Sequence, residues 1–313
     1  MEGFLNLLKP PGMTSHDVVA FLRGKLREKR IGHCGTLDPN AAGVLPICLG
    51  QATRLASYVS EDRKRYFCEM TLGYETDTQD IWGNATKIYP DKGSWAIERK
   101  ERLDHIARSF LGETEQETPA FSSVKIEGKP LYSYARQGKR IEGLSRKISI
   151  YALDIIRHDI NRVSFVVECG SGTYVRMLCR DIGRKLDTGG VMSFLTRLSV
   201  GPFDIRDSLT LEDIAGPASA GQERVENAIA RKETALRTMR AFYADESEAR
   251  SLRQGRSVWL RSRTERAEKQ ASADSPDKLG WVKDTRGALV AIGAYDASDD
   301  SASVLFKPNK TFE

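Results

Sequence analysis

The sequence has 313 residues, of which 40% are hydrophobic and 29% charged, a composition that is typical of a globular protein and excludes disorder throughout. Every apolar run is interrupted by a charged residue well short of the roughly 20 residues that cross a bilayer, so no membrane span is predicted. The net charge of +5 is only mildly basic, and five cysteines without a CxxC pair or a secretion signal indicate reduced thiols in the cytoplasm.

The N-terminal elements are a short strand and a helix. Residues 3–8 are apolar enough for a strand, and the KPPG sequence that follows ends it because proline lacks an amide donor. Thr14 and Asp17 have the spacing of a capping box and predict a helix start. Residues 31–50 combine many glycines and prolines with little periodicity, so we expect an ordered loop of the kind that carries functional residues.

Strands and helices alternate through the middle of the chain. Alternating apolar residues over 66–73 predict a strand, and apolar residues at helical spacing over 98–111 predict a helix. A second strand at 163–169 leads through two glycines into another helix, which carries Arg176 in its first turn. This mixture indicates an α+β fold.

Residues 125–147 form a locally basic stretch, with seven Lys or Arg against two Glu and with Tyr132 and Tyr134 among the cations. Such a segment fits a loop that follows the phosphates of a nucleic acid and stacks on its bases. Taken alone, such a charge cluster is more often a solvated basic face.

The pattern changes near residue 241, where glycines begin to separate short apolar runs. We therefore expect a large domain at 1–240 and a small β-rich domain at 241–313, since the chain is long for one core. Within the small domain, residues 262–278 include no large aliphatic or aromatic residue and should form a mobile surface loop.

The segment GHCGTLDP at 32–39 holds the strongest candidate for chemistry. Asp38 precedes a proline in a predicted loop, where a single carboxylate would be held rigidly, as a nucleophile requires. An Asp before Pro is more often a turn residue that bonds its own backbone. His33 and Cys34 could indicate zinc, but the HxE and PCxxC pattern of zinc deaminases is absent and the chain has four His, so no metal site is predicted.

Seven segments resemble motifs of the TruB family of tRNA pseudouridine synthases, namely KPPGMTS (9–15), GHCGTLDP (32–39), KRYF (64–67), LGYETDTQDIWG (72–83), TPAFSSVKIEGKPLYSYARQG (118–138), SGTYVR (171–176) and FLTRLSVGPF (194–203). The resemblance is strong over residues 3–215 and loose beyond them. Cys34 stands where threonine is commoner in the family, and Leu8 stands where Asp or Asn is often seen.

The resemblance assigns roles to individual residues. It makes Asp38 the catalytic carboxylate, Tyr66 the tyrosine that stacks on the target base, and Arg176 the arginine that pairs with the carboxylate. Because a nearby opposite charge favours the ionised form of a carboxyl group, Asp38 would be anionic. Tyr174 would lie near the base, and Leu195 would line the uracil pocket.

Further residues receive binding or supporting roles from the same resemblance. His33 would face the RNA, where an imidazole can stack on a base or replace one that has left its loop. Lys9 and Pro10 would support the active-site tyrosine. Asp77 and Asp80 would organise a turn near the site.

The same resemblance implies the pseudouridine-synthase fold, a central, mostly antiparallel mixed sheet flanked by helices and loops, followed by a PUA-like RNA-binding domain. The implied substrate is the uridine at position 55 in the tRNA T loop, and the implied partner is the T arm and elbow of tRNA. We expect a monomer that needs no cofactor, metal or second substrate, because the isomerisation conserves atoms and oxidation state.

Several alternatives stay open on the sequence alone. Asp38 could attack C1′ of the ribose, add to C6 of the base, or abstract the 2′ proton to give a glycal. The main alternative function is a catalytically idle chaperone that binds and refolds tRNA with the same cleft. A nucleoside hydrolase would need paired acids or a metal, and the sequence offers one lone Asp.

Overall fold

The computed structural model describes residues 1–90, 99–139, 141, 143–216, 218–261, 279–297 and 303–312. The segment 262–278, for which a mobile loop is predicted, lies outside the described residues. The helices are α1 Ser15–Leu26, α2 Ala56–Glu61, α3 Arg99–Arg108, α4 Leu131–Ala135, α5 Val175–Lys185, α6 Leu211–Ala215, α7 Ala218–Ala228 and α8 Glu246–Arg253. Short 3-10 helices occupy Gly50–Leu55, Ile205–Asp207 and Lys232–Leu236.

The strands are β1 Gly3–Lys9, β2 Ile31–His33, β3 Ala42–Leu49, β4 Lys64–Leu72, β5 Tyr74–Thr76, β6 Ala85–Ile88, β7 Gly112–Glu117, β8 Lys125–Ile126, β9 Lys129–Pro130, β10 Ser145–His158, β11 Arg162–Cys169, β12 Gly190–Val200, β13 Phe203–Asp204, β14 Arg240–Tyr243, β15 Val258–Arg261, β16 Leu279–Lys283, β17 Leu289–Ala297 and β18 Ser303–Thr311. Within the described residues, no helix is long and apolar enough to cross a membrane.

A nine-stranded sheet forms the centre of the molecule, with the strand order β1-β3-β12-β4-β11-β10-β7, β2 paired to β3 and β13 paired to β12. Among the described strands of this sheet, the pairing of β3 with β12 is parallel and all others are antiparallel. The predicted α+β class and the predicted mostly antiparallel mixed sheet are confirmed.

Helix α5 packs on this sheet through the apolar stripe that its sequence predicts. Val175, Leu178, Cys179 and Ile182 recur at helical spacing and are buried in one core cluster with residues of β4 and β11. The first turn of α5 lies beside the loop that precedes β3, where Arg176 contacts Asp38. The predicted capping box at Thr14 is also present and starts α1 at Ser15.

The prediction of a loop over residues 31–50 is wrong for most of that stretch, because β2 and β3 occupy both of its ends. Gly43 has a φ of +114°, and a Cβ there would overlap the main chain of Arg197 on β12. The glycine therefore allows two neighbouring strands to approach closely rather than breaking a strand. Pro46 lies inside β3, where its carbonyl accepts from the Cys34 N–H at 2.8 Å.

A second sheet follows the first, with the strand order β14-β16-β17-β18-β15. This sheet is the β-rich C-terminal unit that the sequence predicts, while a domain boundary at 240/241 stays a prediction. Trp281 and Ile292 of this sheet, with Phe312 directly after β18, belong to a buried cluster that also contains Phe4 and Val44 of the large sheet. The two sheets therefore share a hydrophobic core.

Candidate active site

Asp38 lies in the loop between β2 and β3, and hydrogen bonds hold the main chain of that loop. The Leu37 N–H donates to Ser15 Oγ at 2.9 Å, and this hydroxyl donates to the Leu37 carbonyl at 3.3 Å. The Ala41 N–H donates to the Asp38 carbonyl at 3.0 Å. The start of α1 therefore fixes the chain immediately before the carboxylate, and a turn fixes it immediately after.

Lys9 secures the same loop from the end of β1. Its ammonium group is buried and donates to the carbonyls of Pro10 at 2.8 Å, Pro39 at 2.9 Å and Ala41 at 2.8 Å. Burial lowers the pKa of Lys9 to about 8, and the charge of Asp38 opposes that shift. The resemblance implied that Lys9 supports the active-site tyrosine. In the structure its three hydrogen bonds go to main-chain carbonyls, one directly after β1 and two in the Asp38 loop.

Arg176 reaches Asp38 from the first turn of α5. Its Nε donates to Asp38 Oδ2 at 2.7 Å and its Nη2 lies 3.4 Å from Oδ1, so the predicted contact between these residues is present. The same guanidinium donates to the carbonyls of Thr78 at 2.8 Å and Phe121 at 3.0 Å. The Arg176 side chain is 5% exposed and that of Asp38 is 40% exposed, so a buried cation holds a carboxylate that a ligand can approach.

The Thr78 carbonyl is presented by the acidic turn that the sequence singled out. Asp77 accepts the Asn84 N–H at 2.9 Å, and Asp80 accepts the Thr78 hydroxyl at 2.7 Å and the Trp82 N–H at 3.1 Å. The predicted turn-organising contacts are therefore present. Sequence reasoning missed the link from this turn to Arg176, because a main-chain acceptor has no signature in the sequence.

Tyr66 is buried on β4, in the hydrophobic cluster that also contains Leu37, Ala41 and Leu195. Three of the predicted site segments, around Asp38, Tyr66 and Leu195, therefore meet in one place. Burial raises the pKa of the Tyr66 hydroxyl, and the nearby Arg197 guanidinium opposes that shift. A neutral phenol is the form that this environment favours.

Arg197 is a site-proximal cation for which the sequence analysis gave no role. Its side chain is 1% exposed and donates to the carbonyls of Val44 at 2.7 Å and Gly35 at 3.1 Å. It therefore ties β12 to β3 and to the loop that leads to Asp38. The sequence did contain a signal for the position of Arg197. Arg197 lies two residues after Leu195 on β12, so the two side chains point to the same inward face of the strand.

Tyr174 and His33 lie at the edges of this arrangement. Tyr174 immediately precedes α5 and is half-buried, and its main chain is bonded on both sides by the Gln116 side chain. His33 is half-buried on β2, and its Nδ1 is buried without a hydrogen-bond partner among the described residues. Burial lowers the pKa of His33, which favours the neutral imidazole. Their contacts with RNA stay predictions.

The basic stretch forms a small hairpin of β8 and β9 followed by α4. The chain that leads into the stretch meets its last residues where the Thr118 N–H donates to the Leu144 carbonyl at 2.8 Å. Tyr132 is exposed, and the Arg136 guanidinium lies 5.4 Å from its ring centre. Arg140 and Glu142 of this stretch lie outside the described residues. Phe121, four residues before the stretch, accepts a hydrogen bond from Arg176, so the chain that leads into the stretch adjoins the carboxylate.

In the described part of the chain, no three His, Cys, Asp or Glu side chains are grouped so that they could hold a metal ion. The predicted independence from metals and cofactors stays a prediction, because this observation concerns protein ligands alone.

Two family models match the sequence consecutively. Residues 23–175 match the model described as TruB family pseudouridylate synthase (N terminal domain), and residues 176–239 match that described as tRNA pseudouridylate synthase B C-terminal domain. The second sheet, which starts at Arg240, lies outside both matched ranges.

Curated relatives carry the name tRNA pseudouridine synthase B. The protein of Alkaliphilus oremlandii is 48% identical over 214 residues, which cover 68% of this chain and 70% of the relative. That of Heliobacterium modesticaldum is 49% identical over 221 residues, covering 69% and 71%. That of Trichormus variabilis is 42% identical over 224 residues, covering 71% and 75%.

Solved structures extend the likeness to almost the whole chain. A chain from a Cbf5-Nop10-Gar1 complex matches with a TM-score of 0.71 and 25% identity, covering 99% of this chain and 85% of that one. A chain from the archaeal box H/ACA sRNP Nop10-Cbf5 complex matches with a TM-score of 0.70 and 24% identity, covering 100% and 86%. These likenesses concern the fold, including the second sheet.

Proposed function

The chain belongs to the TruB family of pseudouridylate synthases, and we propose that it isomerises the uridine at position 55 in the T loop of tRNA. Conversion of uridine to pseudouridine in tRNA is the activity that the family carries, so the protein is an isomerase. The choice of the T-loop uridine and the roles of single residues are the finer parts of the proposal.

The reaction conserves every atom of the nucleotide. The bond between N1 and C1′ breaks, the uracil turns, and a bond between C5 and C1′ forms while the proton on C5 is lost and N1 gains one. No electron acceptor or second substrate enters this balance. The protein's task is therefore to hold the base and ribose in position and to supply one reactive carboxylate.

The contact between Asp38 and Arg176 is the observation that carries the proposal. The arginine is buried and bonded to two carbonyls besides, so it holds the carboxylate in one orientation. The exposed side of the carboxylate is free to meet the ribose or the base. Attack at C1′, addition to C6 and abstraction of the 2′ proton all begin from this anionic group, and the proposal extends to any of the three.

The target base must leave the T loop before it can reach Asp38. Flipping a nucleotide costs a few kcal/mol of stacking and pairing, which contacts in the pocket must offset. We assign stacking on the base to Tyr66, the apolar wall of the pocket to Leu195, a position near the base to Tyr174, and to His33 contact with the RNA that the base leaves behind.

We assign the T arm and elbow of tRNA to the cleft beside the basic stretch. Its cations and the exposed Tyr132 are suited to phosphates and bases, respectively. Lys9 and Pro10 support the Asp38 loop in this assignment. We expect the enzyme to act as a monomer in the cytoplasm, with the second sheet contributing to RNA binding.

The test uses an unmodified tRNA transcript and a second transcript with cytidine in place of uridine 55. Wild type, Asp38→Asn and Asp154→Asn are incubated with each, with and without a metal chelator, and pseudouridine is mapped by carbodiimide labelling. Binding of all three proteins to the first transcript is measured in parallel. Asp154 is an exposed aspartate of β10 and serves as the matched control.

We expect one pseudouridine at position 55 from wild type and Asp154→Asn, unaffected by the chelator, and none from Asp38→Asn although it still binds. Product from Asp38→Asn at the wild-type rate would remove Asp38 from the mechanism. Tight binding without product from any of the proteins would favour the chaperone, and release of free uracil would favour a hydrolase.

A further inference from the structure

Strand β7 buries one polar side chain, while its other residues are exposed or half-buried. Of its six residues, all of which the structure describes, Gln116 alone is buried, with 3% of its surface exposed. Burying a primary amide is unfavourable unless its donor and acceptor are both satisfied. The partners of Gln116 therefore explain why the amide lies there.

Both ends of the Gln116 amide bond the main chain of Tyr174. The Tyr174 N–H donates to Gln116 Oε1 at 2.8 Å, and Gln116 Nε2 donates to the Tyr174 carbonyl at 3.1 Å. The two bonds assign the amide oxygen and nitrogen without ambiguity, because the opposite orientation would place donor against donor. One side chain thus brackets one residue of the main chain.

Tyr174 occupies the N-cap position of α5, and its own side chain makes no capping hydrogen bond within the described structure. A helix start is commonly fixed by a Ser, Thr, Asp or Asn at this position. In this protein Gln116, which lies 58 positions earlier in the chain, fixes the start of α5 instead. A second hydrogen bond between α5 and β7 lies farther along the helix, where Arg180 Nη1 donates to Glu117 Oε2 at 2.7 Å.

The position of the helix start matters because Arg176 must meet acceptors on three separate segments, Asp38, Thr78 and Phe121. A movement of about 1 Å at the start of α5 would stretch all of these bonds together, and misplacement of that size can cost on the order of 100-fold in rate. Gln116 is the side chain that resists such a movement at the N-cap residue itself.

We propose that Gln116 is a positioning residue for catalysis, which brackets Tyr174 and thereby sets the start of α5 so that Arg176 orients the Asp38 carboxylate. This inference rests on the proposed function of Asp38 and Arg176. It gives Gln116 no contact with the substrate, and it locates its effect in the rate of the chemical step rather than in binding of tRNA.

The test compares Gln116→Met, which keeps the length and removes both bonds, with Gln116→Glu, which keeps the acceptor for the Tyr174 N–H and removes the donor. Glu113→Gln on the exposed side of β7 is the control. Single-turnover rate constants for pseudouridine formation and dissociation constants for tRNA are measured, with rates referred to the folded fraction from circular dichroism.

We expect the rate constant of Gln116→Met to fall about 10- to 100-fold, that of Gln116→Glu to fall less, and tRNA affinity to stay within about twofold. Glu113→Gln should match wild type. If Gln116→Met does not fold, the rate constant and tRNA affinity of Gln116→Glu alone test the inference. Rates of the Gln116 variants equal to that of Glu113→Gln, or a loss confined to tRNA affinity, would overturn the inference.

A double-mutant cycle with Arg176→Lys separates positioning from general damage. If Gln116 acts through Arg176, the double variant should lose less rate than the product of the two single losses, because the second change removes an arrangement that is already disturbed. Losses that multiply would overturn the inference. Inactive wild-type protein would contradict the proposed function instead, so the two failures are distinguishable.

Discussion

At the scale of single residues, the charge on Lys9 couples stability to pH. The pKa of Lys9 is lowered by burial from 10.5 to about 8 in the folded protein. Between pH 8 and 10.5 the unfolded chain therefore binds more protons at this position than the folded chain does. The unfavourable burial of the charge is present in full below pH 8 and is relieved as the pH rises through this window.

Urea unfolding of wild type and Lys9→Met from pH 7.5 to 10.5 measures this effect. We expect the free energy of unfolding of wild type, minus that of the variant, to increase with pH across the window. Other groups that titrate in the same range, such as Lys64, are present in both proteins and cancel in the difference. A difference that is constant with pH would show that Lys9 titrates alike in both states.

Residue-level prediction from the sequence succeeded where side chains meet side chains. The contact between Asp38 and Arg176 follows from two recognisable motifs. Prediction failed where the partner is a main-chain carbonyl, as for the Lys9 ammonium and for the Arg197 guanidinium. Every residue has a carbonyl, and spacing along the chain does not indicate which carbonyl accepts the hydrogen bond. The catalytic role of each residue stays a prediction until the variants are measured.

At the scale of elements, Gly43 sets how closely β3 and β12 approach. Gly43 and Gly73 have nearly the same φ, +114° and +113°, but an added Cβ would overlap Arg197's main chain at the first and meet nothing within 4 Å at the second. Gly73→Ala therefore isolates the backbone strain, which is on the order of 1–3 kcal/mol. We expect Gly43→Ala to lose roughly 1–3 kcal/mol more, because the strands must also move apart.

Chemical denaturation of the two alanine variants against wild type checks this expectation. Since Gly43 lies beside the loop that carries Asp38, the Gly43→Ala variant should also lose activity beyond its loss of folded protein. Equal destabilisation by both substitutions would mean that β12 can move away from β3 at Gly43 without a measurable loss of stability.

The same glycine explains an error made from the sequence. Helices α1 and α5 were predictable because a capping box and an apolar stripe are local signals. Strands β2 and β3 were not, because glycine and proline are counted as strand breakers. In β3, Gly43 permits a close contact with β12. Because β12 lies far away in the sequence, this contact cannot be recognised without the fold.

At the scale of the whole molecule, the two sheets share one buried cluster, of which Phe312 is a member with 1% of its surface exposed. We expect wild type to unfold in a single calorimetric transition, and Phe312→Ala to lose about 3–5 kcal/mol and to separate the transition into two. Trp259→Ala is the control, because Trp259 is 56% exposed on β15 of the same sheet. An unchanged single transition in Phe312→Ala would mean that the sheets are coupled elsewhere.

The order of strands in the large sheet also governs when the active site comes into existence. β3 and β4 are consecutive in the chain, yet β12 lies between them, and Arg176 is 138 positions away from Asp38. Contacts of such high order slow folding, and at ribosomal elongation rates the two strands wait on the order of 10 s or more for the third. The nascent chain therefore spends more than a third of its synthesis, between the end of β4 and the start of β12, with the centre of its sheet unfilled, and the active site is completed only after about two thirds of the polypeptide has been made.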